Sequence, residues 1–76
     1  MKKVEVEWVD AHTWAGWRDG DEAKEIVPAK CTTIGYLINR KKGYLRLTSG
    51  YDECSEKYDG LHVIPTSWVT VIRELN

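Results

Sequence analysis

The chain lacks the features that mark several large classes of protein. No apolar run approaches the roughly 20 residues that a membrane-spanning helix needs. The first residues, Met1-Lys2-Lys3 followed by alternation, do not form the apolar centre of a signal peptide. Eleven Lys and Arg against twelve Asp and Glu leave a net charge of -1, so there is no overall basic footprint for nucleic acid. We therefore expect a soluble cytoplasmic protein with no membrane partner.

Motifs for catalysis and for metal binding are also missing. The chain has two cysteines and two histidines, but no Cys-x-x-Cys or His-x-x-x-His spacing that a zinc site would need. It has no glycine-rich phosphate loop, and no nucleophile and base at motif spacing. The sequence predicts no catalytic residue, no metal and no cofactor, and a reducing cytosol favours free thiols at Cys31 and Cys54.

The length of 76 residues and the mass of 8.8 kDa leave room for one domain, residues 1–76. Surface scaling gives about 4,800 Å² exposed in the folded state and about 12,800 Å² in the unfolded chain. The apolar part of that difference stabilises the fold by about as much as ordering the chain costs. So small a net free energy of folding for one protomer favours a homo-oligomer.

Five segments have the alternation or the β-branched composition of strands, at residues 4–9, 32–40, 44–49, 61–64 and 69–73. A polar loop at 10–25, with one helical turn at 21–25 after an Asp cap, precedes the second segment. A short Lys41-Lys42-Gly43 loop, a second polar loop at 49–60 and a 3₁₀ turn at 66–68 connect the others. This order predicts a mainly β protein with little helix, a small five-stranded SH3-like or Sm-like barrel with a long first loop.

The alternation also predicts which side chains form the core. Apolar residues in the inward phase of each segment are expected to be buried. This set comprises Val6, Trp8, Ile34, Tyr36, Leu45, Leu47, Val63, Ile64, Val69 and Val71.

Three of the four tryptophans fall within ten residues, in or beside the first loop. Trp8 continues the inward alternation of its strand and is expected in the core. Trp14 and Trp17 lie in a polar loop, where binding residues concentrate. Their indoles suit stacking on a flat ligand such as a purine, with Arg18 and Asp19 supplying charge and hydrogen bonds. The alternative, that they fold back over the open end of the barrel, stays open for both and applies more to Trp17 than to Trp14.

The predicted ligand-binding residues lie on two faces. The first loop provides His12, Trp14, Trp17, Arg18 and Asp19, and a second face provides Thr48, Ser49 and Tyr51. A protomer of this size cannot enclose a large pocket, so we expect such a site where two protomers meet.

Charge is unevenly placed along the chain. The central hairpin is basic, whereas residues 52–59 and 19–25 are rich in Asp and Glu. The hairpin has two interpretations, because its cations suit phosphate binding and also protect an exposed strand edge. Edge protection is the simpler interpretation, and oppositely charged ends also favour packing of one protomer against another. The basic set is Arg40, Lys41, Lys42 and Arg46, with Tyr44 among them.

Several short motifs resemble a family of small tailed-phage accessory proteins. In that family a strand ends in Trp-x-Asp, here Trp8-Val-Asp10, and is followed by Gly-Trp-x-Asp, here Gly16-Trp17-Arg-Asp19. A later strand has the pattern Cys-x-x-x-Gly-aromatic, here Cys31-Thr-Thr33-Ile-Gly35-Tyr36, and an Ile-Pro turn, here Ile64-Pro65, precedes the last strand. Trp14 and the tract Lys57-Tyr58-Asp59-Gly60 depart from that pattern. The resemblance implies a phage-encoded β-barrel, and small phage proteins of this kind counter bacterial immunity by sequestering nucleotide-derived messengers.

We therefore expect a non-catalytic binding protein that sequesters a cyclic ADP-ribose or cyclic-oligonucleotide signal and so inhibits antiphage defence. One alternative is an interaction module that blocks a host enzyme. A second is an RNA- or DNA-binding barrel that uses the basic hairpin.

Overall fold

The computed structural model describes residues 1–11, 13 and 15–76, in which five antiparallel strands form one sheet. The strands are β1 (Lys3–Asp10), β2 (Ala29–Lys41), β3 (Tyr44–Asp52), β4 (Lys57–Pro65) and β5 (Val69–Leu75). A short helix, α1 (Gly20–Ala23), lies between β1 and β2, and a 3₁₀ turn (Thr66–Trp68) precedes β5. The strand order β4-β3-β2-β1-β5 leaves β4 and β5 as the edges of an open sheet. The prediction of a mainly β, five-stranded protein with little helix is confirmed.

The predicted polar loop at 49–60 is instead part of a long hairpin. β3 runs to Asp52 and β4 begins at Lys57, with Tyr51 opposite Tyr58 in the ladder. We call residues 50–59 the distal ribbon. Its residues are polar because both of its faces meet solvent, so it lacks the alternation that a buried face imposes on a strand.

The loop between β2 and β3 is one residue shorter than the predicted loop Lys41-Lys42-Gly43. Lys41 pairs with Tyr44, and the two loop residues between them have positive φ, 54° at Lys42 and 84° at Gly43. A two-residue turn with positive φ at both positions matches the right-handed twist of the flanking strands.

The core lies between β1, β3 and the end of β4. Val6, Leu45 and Leu47 are fully buried, and Val4 and Ile64 are nearly so. A ring of partly buried side chains surrounds them, formed by Trp8, Leu37, Trp68, Val69 and Ile72. The predicted core positions Val6, Trp8, Leu45, Leu47, Ile64 and Val69 are therefore confirmed.

On β2, the predicted phase of burial is wrong. Ile34 and Tyr36 are 56% and 38% exposed, and the inward positions belong to Thr33, Gly35 and Leu37. The reason is close approach, because a Cβ on Gly35 would lie 3.0 Å from the backbone oxygen of Thr48. A Cβ at position 35 would also lie 3.4 Å from Leu47 Cβ, so a larger residue would need the neighbouring strand to move.

Two further core positions are corrected on β4 and β5. Val63 is 55% exposed because its neighbour Ile64 takes the inward position of β4, and adjacent residues of a strand point to opposite faces. Val71 is half-buried opposite Glu7 and lies outside the core cluster.

The molecule is elongated. Its principal extents are 55 × 23 × 22 Å, and its accessible surface of 6081 Å² exceeds the roughly 4,800 Å² typical of a compact protein of this mass. Large hydrophobic side chains contribute to the excess, among them Ile34, Tyr51, Tyr58, Leu61 and Val63. The sheet thus leaves several apolar side chains and nearly all of the distal ribbon in solvent.

Candidate functional site

A groove at the base of the distal ribbon brings two predicted site residues together. Ser49 and Tyr51 of β3 line it with Gly50, with Glu53 of the turn, with Tyr36 of β2 and with Met1, around a volume of about 470 Å³. We call it the distal groove. Its lining combines two phenol rings, a serine hydroxyl and a carboxylate, which suits a flat ligand with polar edges.

Thr48, which was predicted to contact the ligand, is buried instead. Its hydroxyl oxygen lies 2.7 Å from the carbonyl oxygen of Asp59 and 2.8 Å from that of Gly50, and it accepts from the N–H of Gly50 at 3.3 Å. With 0% exposure, Thr48 presents no surface to the groove. It fixes the point at which β3 leaves the core, and so it positions Ser49 and Tyr51.

Ser49 and Gly60 lie at the same point on the two strands. The Ser49 hydroxyl donates to the carbonyl oxygen of Gly60 at 3.3 Å, and Gly60 has a φ of 65°. A Cβ on Gly60 would overlap the Ser49 hydroxyl and lie 2.9 Å from Ser49 Cβ. Glycine at position 60 therefore keeps the Ser49 side chain in its present position beside the groove.

The ring of Tyr51 is supported from the neighbouring strand. The Tyr51 and Tyr58 ring centroids lie 5.0 Å apart with an interplanar angle of 39°, within the range of favourable aromatic pairs. Each tyrosine is about half exposed, 44% and 45%. This pairing holds Tyr51 in place and leaves part of its ring accessible.

The turn that ends the distal ribbon is organised by Asp52. The Ser55 hydroxyl donates to Asp52 Oδ2 at 2.8 Å, and the Cys54 N–H donates to Oδ1 at 3.0 Å. The Ser55 hydroxyl first, and then the Cys54 amide, lower the pKa of the Asp52 carboxyl below its ordinary value. This turn holds Glu53 next to the groove.

The first loop forms a separate segment of the candidate site. Trp17 is fully exposed, so in this structure it does not cover the core. Arg18 forms an ion pair with Glu22 of α1 at 3.0 Å, and the Asp19 carbonyl accepts from the Ala23 N–H at 2.9 Å. The helical turn thus starts directly after Asp19, one residue before the predicted position, without a hydrogen bond from the Asp19 side chain. The predicted contacts of His12 and Trp14 lie outside the described residues.

A second cavity, of about 390 Å³, lies where the first loop joins the sheet. Trp8 is its largest lining residue; the Trp8 ring stacks on Trp68 at 6.4 Å, and its indole N–H donates to the Thr33 hydroxyl at 3.0 Å. These contacts give Trp8 a structural role. The other lining residues are Glu7, Val9, Lys30, Cys31, Thr32 and Thr70.

The basic hairpin presents exposed cations, but Arg46 already has partners. Its Nη1 donates to Asn39 Oδ1 at 3.1 Å and to the Lys41 carbonyl oxygen at 3.2 Å, and its guanidinium lies 5.7 Å from the Tyr44 ring centroid. These contacts of Arg46 stabilise the hairpin. Arg40, Lys41 and Lys42 are exposed at its tip.

Five residues of this region are not among the predicted site residues, namely Met1, Tyr36, Gly50, Glu53 and Tyr58. The sequence places Tyr36 in the core and Gly50, Glu53 and Tyr58 in a polar loop. The sequence separation of Tyr51 and Tyr58 could have predicted their pairing, because a hairpin with a four-residue turn at 53–56 places them opposite each other. The position of Tyr36 depends on the close approach at Gly35, which no pattern in one sequence reveals.

Among residues 1–11, 13 and 15–76, no group of three or more His, Cys, Asp or Glu side chains is arranged to hold a metal ion. Within the same residues, no helix has both the length and the apolar composition to cross a membrane. No protein family, curated protein or solved structure matches this chain. The resemblance to phage accessory proteins accordingly rests on its short motifs alone.

Proposed function

We propose that this chain is a non-catalytic binding protein that sequesters a nucleotide-derived signal, of the cyclic ADP-ribose or cyclic-oligonucleotide kind. In this proposal it is a phage protein that acts in the cytoplasm of an infected bacterium and inhibits antiphage defence. The observation that carries the proposal is the distal groove, where the accessible rings of Tyr36 and Tyr51 lie beside Ser49 and Glu53.

The chemistry of the groove suits a nucleoside better than a bare phosphate. A phenol ring provides an apolar face for a base, and the Glu53 carboxylate accepts hydrogen bonds from a ribose hydroxyl or from a base N–H. The groove is open to solvent around its volume of about 470 Å³, so in one protomer it covers only part of such a ligand.

The phosphates of such a ligand need a cation, and the first loop offers one in Arg18. Trp17, beside it, has its whole indole in solvent and suits stacking on a second base. We propose that the first loop of one protomer and the distal groove of another form the complete site in a homo-oligomer. In this arrangement Arg18 exchanges part of its contact with Glu22 for the phosphate.

The proposed fold is an SH3-like barrel whose sheet is incompletely closed. The supporting observations are the strand order β4-β3-β2-β1-β5 and the 3₁₀ turn directly before the last strand. Such a fold supports many unrelated functions, so the proposed function depends on the groove and the loop.

The first experiment identifies the ligand. Purified protein is heated, and the released small molecules are analysed by mass spectrometry and compared with a calorimetric titration against cyclic ADP-ribose isomers and cyclic di- and trinucleotides. We expect tight binding of one member and its recovery unchanged after denaturation. A cleaved product would instead identify an enzyme.

A matched pair of variants locates the site. Tyr51→Ala removes a groove ring and is expected to weaken binding about ten- to a hundred-fold, because stacking on a base is worth about 1–3 kcal/mol. Tyr44→Ala is the control, since Tyr44 lies on the same strand with the same 44% exposure but at the basic end. Equal affinities for the two variants would place the ligand elsewhere.

Trp17→Ala tests the first loop separately. Since Trp17 is fully exposed, we expect the variant to fold normally and to bind about ten- to a hundred-fold more weakly. Retained wild-type affinity would remove Trp17 from the proposed site.

The basic hairpin favours one further function, the binding of RNA or DNA through Arg40, Lys41 and Lys42. That function predicts tight, strongly salt-dependent binding of oligonucleotides and no binding of the cyclic nucleotides. The large exposed apolar surface also fits a module that blocks a host enzyme, which predicts copurification of one host protein in place of either ligand.

A further inference from the structure

One edge of the sheet has the properties of an interface, and this edge is β4. Every residue from Lys57 to Val63 is exposed, including the large side chains of Tyr58, Leu61 and Val63 at 45%, 60% and 55%. An edge strand with this composition is a template for pairing with another strand, which soluble proteins normally prevent with charges or a covering segment.

The opposite edge of the sheet is better protected. β5 carries Arg73, which forms an ion pair with Glu7 at 3.3 Å, and Glu74, which lies 3.9 Å from Lys2. Its apolar residues Val71 and Ile72 are half-buried. The two edges of one sheet therefore differ, because β4 exposes large apolar side chains and β5 keeps its own half-buried.

Opposite charges lie at the two ends of β4. Its first residue, Lys57, follows a turn that contains Glu53 and Glu56 and pairs with Asp52 of β3. Its last residue, Pro65, pairs with Tyr44, beside the hairpin that presents Arg40, Lys41 and Lys42. The strand between them is roughly 26 Å long at about 3.3 Å per residue.

We infer that two copies of this chain pair through β4 in antiparallel orientation and form a continuous ten-stranded sheet. A twofold axis places the Lys57 end of one strand against the Pro65 end of the other, because such an interface uses the same patch on both subunits. Each acidic turn then lies on the same side as the basic hairpin of the partner. Parallel pairing would place the two acidic turns together.

A stable interface uses about 800 Å² from each partner, and the large exposed side chains of Tyr58, Leu61 and Val63 lie along the strand that would supply it. The inference goes beyond the proposed function and its evidence is the β4 edge alone, because antiparallel pairing places the partner's first loop at the end of the sheet opposite the distal groove.

The first test is the mass in solution. Sedimentation velocity at tens of micromolar should give twice 8.8 kDa for the unmodified chain. Val63→Asp should weaken dimerisation about tenfold or more, because it replaces an apolar contact with a carboxylate that lies opposite Asp59 of the second copy. Ile34→Asp is the matched control, since Ile34 is 56% exposed on the inner strand β2 and should leave the dimer intact.

Circular dichroism establishes that both variants fold. A monomeric wild type, or equal loss of dimer in the two variants, would overturn the inference. Ligand binding is measured separately by calorimetry. A monomer that binds a cyclic nucleotide would refute this interface and the site shared between protomers but leave sequestration standing, whereas a β4 dimer that binds none would refute only the proposed function.

Crosslinking tests the orientation of the two strands. Cys54 is exposed in the acidic turn, and Ser67 is exposed just beyond the other end of β4. In Ser67→Cys, a short bis-maleimide should link Cys54 of one chain to the new thiol of the other. Links between two Cys54 thiols in the unmodified protein would show a parallel arrangement and overturn the inference.

Discussion

The hairpin of β3 and β4 continues one ladder through two different environments. In its core half, Leu45 lies opposite the buried Ile64, and Leu47 is fully buried. In the distal ribbon, only Gly50 is even partly buried. Backbone pairing is common to both halves, so burial of apolar side chains stabilises the first and local contacts stabilise the second. A ribbon held in this way can carry binding residues that the core does not need.

The largest expected effect lies in the core half. Leu47→Ala should lower the free energy of unfolding by about 2–5 kcal/mol, because the fully buried side chain loses its transfer free energy and leaves a cavity. Urea denaturation measures the change. A loss below roughly 1 kcal/mol would show that this strand does not bury the face described above.

The second effect lies at the junction of the two halves. Gly60→Ala should destabilise the distal ribbon by about 1–3 kcal/mol, because alanine is strained at positive φ and its Cβ would overlap the Ser49 side chain. We expect amide hydrogen exchange to accelerate between residues 50 and 59 while Leu45 and Val6 keep their protection.

Gly50→Ala is the matched control for this substitution. A Cβ at position 50 would meet no atom within 4 Å, and the φ of Gly50 is not positive. If amide hydrogen exchange in the distal ribbon is the same in both variants, the ribbon does not depend on the conformation of Gly60. The proposed difference in stabilisation between the core half and the distal ribbon would then be wrong.

Much of the sheet follows from the sequence because a buried face imposes a period of two. Val4 and Val6 in β1 and Leu45 and Leu47 in β3 show this period, and they form the core. The short hairpin was also predictable, since Gly43 provides one of its two positive φ values.

The errors have physical causes that a single sequence does not reveal. In β2 either of the two alternating sets of residues could face the core. The more apolar set, with Ile34 and Tyr36, faces outward because Gly35, in the other set, approaches Thr48 closely. The distal ribbon has no buried face, so its polar residues resembled a loop. Ser49 and Tyr51, which the sequence predicts on one face, lie together in the distal groove. Thr48 is buried instead, which the sequence could not show because a hydroxyl in a strand gives no sign of which way it points.

The smallest expected effect concerns pH at the tip of the distal ribbon. Hydrogen bonds from the Ser55 hydroxyl and the Cys54 N–H lower the pKa of the Asp52 carboxyl. A lowered folded-state pKa means that the contribution to stability is complete above the unfolded value of about 3.9, and it is lost as the pH falls through the folded value. NMR titration of the Asp52 carboxyl and the Cys54 amide should therefore show one transition below that of an unfolded aspartate.

Ser55→Ala sharpens this prediction because it removes the largest cause and leaves the backbone donor in place. The pKa of Asp52 should rise toward its ordinary value in this variant, while the protection of core amides stays unchanged. Asp52→Asn should abolish the transition at the Cys54 amide. A pKa that is the same in Ser55→Ala and in the unmodified chain would show that the turn is not organised by this contact, and Glu53 would then need another explanation for its place beside the distal groove.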